Sequence, residues 1–402
     1  MSINNDAFAT KFTGELDKII TEKSSVGFMT DNAFKAKFVG AKTVKIPSIS
    51  MQGLGDYDRE TGFIKGAVNV SNTAYTMQQD RARTFTIDRE DMDETGIASL
   101  AGSVMSEFVR TKVVPETDAY VLSKLGSLAA TRGQLITLFD TEKPYEMFNK
   151  LLDNVQSQVG LDEELVCFVD RYIWTRLRKS DEFSKVIELG HFRQGELKFE
   201  VNKIDNVTII PVSNSRMMTS FEFLSGKDGG EAGGYKPTEN SRGIYMIMLP
   251  KSAASLVKKS EKIRIFTPDQ NLDADAYKFD YRLYYDVFVK NSYASSVWAA
   301  LAPSVEIVEH YESVLELTQE ELENETTIGF AFTPSEPAPV DIQWYSCDDA
   351  DGNNPVRILN AQSQYLDYIM LKTGVNYVYA TITVGGATVR KTSICTVTVS
   401  EY

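Results

Sequence analysis

Histidine and cysteine are scarce in this sequence. Among 402 residues there are only two histidines, His191 and His310, and three cysteines, Cys167, Cys347 and Cys395. The two histidines are far apart and neither belongs to an HExxH spacing, which argues against a zinc hydrolase. Three scattered cysteines are too few for a disulfide framework. We therefore predict small buried thiols in a chain that matures in a reducing cytoplasm.

Catalytic motifs are missing as well. The sequence has no GxxxxGK[ST] phosphate loop, no GxSxG elbow, no GxGxxG turn after a strand and no identifiable nucleophile–base pair. Five side chains have part of the EF-hand calcium spacing: Asp269, Asn271, Asp273, Asp275 and Asp280. However, Ala274 replaces the turn glycine and Asp280 stands where the bidentate glutamate belongs. We predict a polar loop here, and a protein with no catalytic residue, no metal, no cofactor and no enzymatic activity.

Long apolar runs are absent too. The first 13 residues contain no hydrophobic signal segment, and no stretch elsewhere is long enough to span a bilayer. We expect a soluble protein made inside the cell that does not engage a membrane. This expectation counts against a secreted adhesin or surface-layer protein, the alternative suggested by the β-rich C-terminal part.

Positive charge is rare in the last quarter of the chain. The net charge is −14, and from Pro303 onward 15 acidic residues face 4 basic ones, a net of −11, which leaves −3 for the remainder. Such an acidic module is repelled by phosphate backbones and is expected to face solvent. The basic cluster Arg171, Arg176, Arg178 and Lys179 is compatible with contact to nucleic acid, with a solvated helix face or with a contact between subunits.

An unusual hairpin is predicted after an N-terminal arm. Val44, Ile46 and Ile49 indicate one strand, and alternation from Tyr75 to Ile87 indicates a second long strand. Four glycines lie between them: Gly53, Gly55, Gly62 and Gly66. A two-stranded hairpin with a glycine-rich tip has too little apolar surface for a core of its own, so it needs a neighbour to lie on.

The middle of the chain alternates helix and strand signals. Asp88 is placed to cap a long helix with the apolar stripe Leu100, Val104 and Phe108, which Pro115 kinks or restarts. The predicted elements that follow are a helix over 145–159, a strand over 165–169 capped by Asp170 into a helix, strands over 207–212, 244–249 and 281–289, a surface loop over 225–243 and a short helix containing Ala253, Leu256 and Val257.

Residues 304–402 are expected to form a separate all-β domain. Short strand signals recur at regular spacing, the last of them over Thr388–Val399, and Gly385–Gly386 predicts a tight hairpin. Trp344 on an inner strand resembles the core tryptophan of an immunoglobulin-type sandwich.

The order of these parts resembles the tailed-phage major capsid protein of the HK-ninety-seven type. Val114–Tyr120 (VPETDAY) resembles the end of its spine helix, and residues 201–212 with Ser215–Met217 resemble its axial strand pair. Lys262–Phe266 and Tyr281–Asp286 resemble its peripheral return strands. The similarity covers about residues 1–300. It implies an α+β fold, with residues 304–402 as an added immunoglobulin-like domain.

The resemblance assigns a role to each part of the chain. The implied divisions are an arm (1–41), an extended β loop (42–87), the spine helix and peripheral domain (88–144), an axial domain (145–260), peripheral return strands (261–303) and the acidic immunoglobulin-like domain (304–402). The implied function is self-assembly into hexamers and pentamers of an icosahedral head that encloses double-stranded DNA without sequence preference. The implied partners are further copies, a portal and a scaffolding protein. The implied location is the virion, assembled in the host cytoplasm.

The extended loop is where contacts between subunits are expected. The candidate residues are Met51, Gly53, Gly55, Tyr57, Phe63 and Lys65. Some members of the family form a lysine–asparagine cross-link, for which Lys65 is a candidate donor, but its partner cannot be matched here, so non-covalent locking is predicted. The acidic domain is expected outside the shell, where such domains bind cell-surface glycans weakly. An encapsulin-like nanocompartment shell, which encloses enzyme cargo, is the alternative.

Overall fold

The computed structural model describes the greater part of the chain. The described residues are 24–30, 37–39, 42–53, 55–57, 59, 63, 65–90, 104–136, 143–186, 188–194, 197–227, 232–309, 314–318, 328–334, 339–366, 371–386 and 388–400. The predicted N-terminal arm before Ser24 and the predicted helix signal at Leu100 lie outside them. The described part is mixed α and β and mainly strand, as the predicted α+β class requires.

The N-terminal sheet is an extended antiparallel hairpin with one added strand. Its strands are β1 (Lys37–Val39), β2 (Thr43–Met51) and β3 (Val68–Thr76). In the hairpin, Thr43 lies opposite Thr76 and Met51 lies opposite Val68. The described residues between Met51 and Val68 form the tip.

A fourth strand, β4 (Gln79–Asp88), leaves this sheet and joins another. The prediction of a single strand from Tyr75 to Ile87 is therefore wrong. At the break, the Met77 N–H donates to the Lys42 carbonyl at 2.8 Å and the Gln78 N–H donates to Asp286 Oδ2 at 3.1 Å. The Met77 bond still continues the hairpin pairing, whereas the Gln78 N–H is engaged by Asp286, so the strand changes sheets at Gln78 although the side-chain alternation continues.

The long helix runs without interruption through its described part. Residues 104–108 are helical, Val109–Val113 form a π turn, and α1 (Val114–Thr131) follows directly. The sequence predicts a kink or restart at Pro115, and the structure places the irregularity one turn earlier. Proline lacks the N–H of a regular helix turn and crowds the preceding one, and the wider π turn accommodates it.

The central unit follows α1. Its helices are α2 (Pro144–Val159), α3 (Arg171–Leu177) and α4 (Asp181–Val186), and its strands are β5 (Leu165–Asp170), β6 (Glu188–Gln194), β7 (Leu197–Ile204), β8 (Val207–Val212), β9 (Phe221–Leu224), β10 (Gly234–Pro237) and β11 (Ile244–Pro250). The Asp170 side chain accepts from the Tyr172 N–H at 2.7 Å, which confirms the predicted cap of α3. The predicted loop over 225–243 is partly wrong, since it contains β10, which pairs with β9.

Two long strands complete the body. They are β12 (Ala254–Phe266) and β13 (Ala276–Val289), and they are followed by β14 (Trp298–Leu301). The predicted short helix at Ala253, Leu256 and Val257 is wrong, because this segment begins β12. It pairs with β13 from Ala254 opposite Val289 onward, and this tertiary pairing outweighs the local pattern.

The body contains two main sheets. One has the order β12-β13-β4, and the other has the order β14-β11-β5-β8-β7-β6, in which only β5 and β8 run parallel. Helix α1 packs on the six-stranded sheet at close range: a Cβ at Gly126 would lie 2.6 Å from Ile244 Cδ1. The other face of that sheet buries Phe148 and Leu151 of α2. The sheet is thus covered on both sides.

Residues from Val305 onward form a two-sheet sandwich. Its strands are β15 (Val305–Glu309), β16 (Val314–Thr318), β17 (Ile328–Pro334), β18 (Val340–Cys347), β19 (Val356–Arg357), β20 (Tyr365–Leu366), β21 (Gly374–Val384), β22 (Thr388–Lys391) and β23 (Cys395–Ser400). The sheets have the orders β15-β17-β20 and β16-β23-β21-β18-β19, with β22 on β21.

The core of this sandwich is as predicted in two respects. Trp344 is fully buried, and its Nε1 donates to the Ser363 carbonyl at 3.0 Å. Gly385 and Gly386 form the β21–β22 turn with φ of +60° and +68°. The predicted single strand over Thr388–Val399 is instead divided into β22 and β23. Kinship with the immunoglobulin fold stays a prediction.

Candidate interaction surface

The tip of the β2–β3 hairpin carries large apolar side chains in the open. Met51 is 73% exposed, Tyr57 63% and Phe63 89%. The Tyr57 and Phe63 rings meet edge to face, with centroids 5.2 Å apart. Scattered apolar residues are normal on a protein surface, but an exposed aromatic pair beside further apolar side chains is typical of an interface.

The other predicted contact residues lie in the same tip. Gly53, Gly55 and Lys65 are exposed, and a Cβ at Gly53 would meet nothing within 4 Å. The tip backbone is therefore open to an approaching surface. All six predicted residues are described and exposed in this tip, and their role in contacts between subunits stays a prediction.

The hairpin is attached to the body only at its base, as far as its described side chains show. Val44 and Met77 are buried there against Val257, Tyr284 and Phe288. Beyond this point the described side chains of β3 from Val68 to Thr76 are exposed or half-buried. Among its described side chains, the hairpin is thus held at its base, and β3 beyond the base is not buried against the body.

A buried carboxylate fixes that base. Asp286 of β13 is fully buried and accepts from Lys124 Nζ at 2.5 Å and Tyr120 Oη at 2.9 Å, both on α1. Its other oxygen accepts from the Gln78 N–H between β3 and β4. Burial, and then the nearby Asp286 charge, raises the pKa of Tyr120. The point where the chain leaves the hairpin is therefore tied to both α1 and β13.

The guanidinium group of Arg81 links β4 to the central unit. Arg81 Nε donates to Glu116 Oε1 of α1 at 2.6 Å, Nη1 to the Leu224 carbonyl at 2.9 Å and Nη2 to the Gly234 carbonyl at 3.1 Å. The last two acceptors belong to the two strands of the β9–β10 hairpin. A single guanidinium therefore joins three elements, because its donors point in several fixed directions.

A second buried carboxyl group holds the described end of the predicted arm. Asp118 of α1 is fully buried and accepts from Ser24 Oγ at 2.6 Å, the Ser25 N–H at 3.0 Å and Arg216 Nη1 at 3.0 Å. Burial raises its pKa, and these hydrogen bonds oppose that effect. The segment 24–30 is thereby pinned beside α1.

The residues that form these links were not among the predicted contact residues. Asp286 is a lone carboxylate in the apolar run YRLYYDVFV, and this placement was a usable signal, because a buried charge needs partners. The identities of Lys124 and Gln78 could not be read from spacing, since they are 162 and 208 residues away.

The loop with partial EF-hand spacing and the three cysteines lie in the described part of the chain. No group of three or more metal-ligating side chains occurs there, and no helix in that part is long and apolar enough to cross a membrane. In the loop with partial EF-hand spacing, Asp273 pairs with Lys278 at 3.0 Å and Asp275 with Arg89 at 3.7 Å. The three cysteines are free thiols, and burial raises the pKa of Cys395 to about 11.

A comparison of this chain with solved structures finds two phage capsids and a virus-like particle. The capsid structure of cyanophage P-SCSP1u has a TM-score of 0.43 at 12% identity, with 66% of this chain and 84% of that chain covered. The capsid structure of Staphylococcus phage Andhra has a TM-score of 0.42 at 11% identity, with coverage of 67% and 82%. A virus-like particle from Pyrococcus furiosus has a TM-score of 0.42 at 10% identity, with coverage of 73% and 99%.

Comparison with protein-family models and with curated proteins gives no match.

Proposed function

We propose that this protein is the major capsid subunit of a tailed bacteriophage, a structural protein whose copies assemble into the hexamers and pentamers of an icosahedral head. The observation that carries the proposal is the hairpin of β2 and β3, which is anchored at its base and uncovered along its described length. A surface of this kind is stable only when something lies against it, and in a closed shell that neighbour is another copy.

The anchored base supports this reading. Asp286, Lys124 and the Gln78 N–H hold the point where the hairpin leaves the body. An arm that reaches a neighbour must leave its own subunit in a fixed direction, because a freely swinging arm loses conformational entropy on binding. The tip then offers Met51, Tyr57 and Phe63 as apolar anchors of the contact.

The proposal includes partners and a location. Further copies of the chain would form the shell, a portal and a scaffolding protein would act in its assembly, and double-stranded DNA would be enclosed without sequence preference. The protein would be found in the virion after assembly in the host cytoplasm. Its role is structural, and no reaction is assigned to it.

A tip variant tests the proposal. We expect Phe63→Asp to lower the yield of shells seen by electron microscopy by more than about tenfold, because a charge is then buried in an apolar contact. The matched control is Leu359→Asp, which places the same charge on another exposed apolar residue, 77% exposed in the C-terminal sandwich. Because Phe63 is exposed in the single subunit, the Phe63→Asp subunit should have the same thermal unfolding midpoint as the wild type. Equal shell yields from the two variants would contradict the proposal.

The C-terminal sandwich is proposed to lie on the outside of the head. Its excess of negative charge, −11 from Pro303 onward, would be repelled by packaged DNA. There it would bind cell-surface glycans weakly. Immunogold labelling with an antibody against residues 304–402 is expected on intact particles, and label on opened particles alone would refute this placement.

An encapsulin-like nanocompartment is the second candidate for the same shell geometry. The two differ in cargo, since a capsid encloses DNA and a nanocompartment encloses an enzyme. Particles purified from infected cells are expected to contain nuclease-resistant DNA, and particles with protein cargo and no DNA would favour the nanocompartment.

A further inference from the structure

The C-terminal sandwich follows the body after a very short connection. Strand β14 ends at Leu301 and β15 begins at Val305, and both Ala302 and Pro303 between them are buried. The Ala302 N–H donates to the Gly243 carbonyl of the body at 2.7 Å. A connection this short and this well bonded is not a flexible linker.

The β21–β22 turn of the sandwich rests on the body at a second place. Tyr245 of β11 is fully buried, and its Oη donates to the Gly385 carbonyl at 3.0 Å. Burial raises the pKa of this phenol. The ring therefore belongs to the core of the body while its polar end is satisfied by the other domain.

The two glycines of the turn fit the body so closely that no side chain has room. A Cβ at Gly386 would lie 2.6 Å from the Tyr172 ring, and a Cβ at Gly385 would overlap the Tyr245 hydroxyl. Their positive φ values suit the tight turn, but the missing space is set by the body and not by the turn.

An arginine beside the turn makes a third contact. Arg390 Nη1 donates to the Ser241 carbonyl at 2.6 Å, next to Arg242, whose Nε donates to the Ala302 carbonyl at 2.8 Å. Burial, and then the like charge of Arg242, lowers the pKa of Arg390. A desolvated guanidinium that donates to the body is a group placed for docking.

We propose that Tyr172, Ser241 and Tyr245 form a docking site for the Gly385–Gly386 turn of the same chain, and that this site holds the C-terminal domain in one orientation on every subunit. The acidic domain is then a fixed part of the subunit and not a tethered appendage. Its charged surface would be presented at the same place on each copy. This inference concerns a single chain and does not depend on shell assembly.

Hydroxyl-radical footprinting of the dissociated full chain tests the site, because it reports the exposure of individual side chains. In the wild type we expect Tyr245 to be modified at least about tenfold more slowly than the half-exposed Tyr365. Gly386→Asn should raise the modification of Tyr245 several-fold, because the new side chain collides with Tyr172. Asparagine is chosen because it tolerates positive φ, so the collision is the main change.

The matched control is Gly374→Asn. Gly374 also has a positive φ, +101°, and lies in the same sandwich, but a Cβ there would meet nothing within 4 Å. We expect this variant to leave Tyr245 as protected as in the wild type. Trp344 in the sandwich core serves as the internal reference for folding, and it should stay unmodified in both variants.

A second variant covers the case in which Gly386→Asn also exposes Trp344 and so unfolds the sandwich. Arg390→Ala removes the bond to Ser241 without altering the turn, and it should raise Tyr245 modification while Trp344 stays protected. A wild-type Tyr245 as reactive as Tyr365 would overturn the proposal. A Tyr245 that stays protected in both docking variants would overturn it as well.

Discussion

At the scale of single residues, two buried carboxyl groups link segments that are distant in the sequence. Asp118 and Asp286 are fully buried, and each links segments more than 90 residues apart. Each also has a cationic partner, Arg216 for Asp118 and Lys124 for Asp286. A buried charge without a partner is strongly unfavourable, so such groups specify which segments must meet.

Asp170 is a third buried carboxyl group, and among the described residues it has no cationic partner of this kind. It caps α3 through Oδ1, while Oδ2 has no hydrogen-bond partner, and burial raises its pKa to about 7. An Asp whose folded pKa is raised lowers stability once pH passes its unfolded value near 4, and the full loss is reached above about pH 7.

Asp170→Asn should therefore stabilise the protein at neutral pH. Asparagine keeps the capping oxygen and carries no charge, so we expect a gain of about 2–4 kcal/mol in the free energy of unfolding at pH 8. The gain should shrink as pH falls through 7 and vanish near about pH 3, below the unfolded pKa, where the wild-type group is protonated in both states. Urea unfolding at several pH values measures it.

Asp349→Asn is the control, and its expected change in unfolding free energy has the opposite sign. Hydrogen bonds from Asn353 lower the pKa of the exposed Asp349, so this carboxylate stabilises the protein at neutral pH and loses that effect as pH falls. The variant should be slightly destabilised at pH 8 and unchanged at low pH. A stability gain for Asp170→Asn that did not vary with pH would contradict the assignment of a raised pKa.

At the scale of elements, the position of β4 decides how the hairpin is held. It is continuous in sequence with β3 but pairs with β13, and Arg81 on it reaches α1 and the β9–β10 hairpin. The sheet of β12, β13 and β4 is thus joined to the central unit by a side chain as well as by the shared apolar core.

Arg81→Lys tests this junction. A lysine cannot reproduce the three directed contacts, so two partly buried carbonyls and Glu116 lose partners, and we expect a loss of about 1–3 kcal/mol in unfolding free energy. Hydrogen exchange over residues 221–237 should rise with it. Arg282→Lys is the matched control, because Arg282 forms a forked pair with Asp80 in the same sheet but at the exposed surface. It should cost clearly less than Arg81→Lys, because solvent screens an exposed ion pair, and equal losses in the two variants would contradict the account.

The sequence predicted those helices and strands whose own residues show a clear hydrophobic pattern. The apolar spacing of α2 and the apolar runs of β5, β8, β11 and β13 were all found, since burial on one or both faces sets their composition. The pattern failed at β12 and at the division between β3 and β4. The division between β3 and β4 depends on Asp286 and the β13 backbone, and Gln78 lies 208 residues from Asp286. The start of β12 depends on its pairing with β13, the next strand in the chain.

At the scale of the whole molecule, the C-terminal sandwich and the β2–β3 hairpin differ in how they contact the body. The C-terminal sandwich is docked on the body through its glycine turn, whereas the described apolar residues at the tip of the β2–β3 hairpin are exposed. The sequence predicted the tip residues because glycine spacing and alternation are local signals. It could not predict the docking of Gly385–Gly386 on Tyr172 and Tyr245, since a tight turn has the same sequence whether or not a surface lies beneath it.

The central claim is that sibling copies cover the hairpin. Hydrogen exchange of Thr43–Met51 and Val68–Thr76, compared between the dilute dissociated subunit and the assembled shell, tests it most directly, with Ala276–Val289 as the protected reference. We predict rapid exchange of the hairpin in the subunit, because an isolated two-stranded hairpin is marginally stable, and slowing by at least about 100-fold in the shell. Full protection of both strands in the solitary, dilute chain would contradict the account.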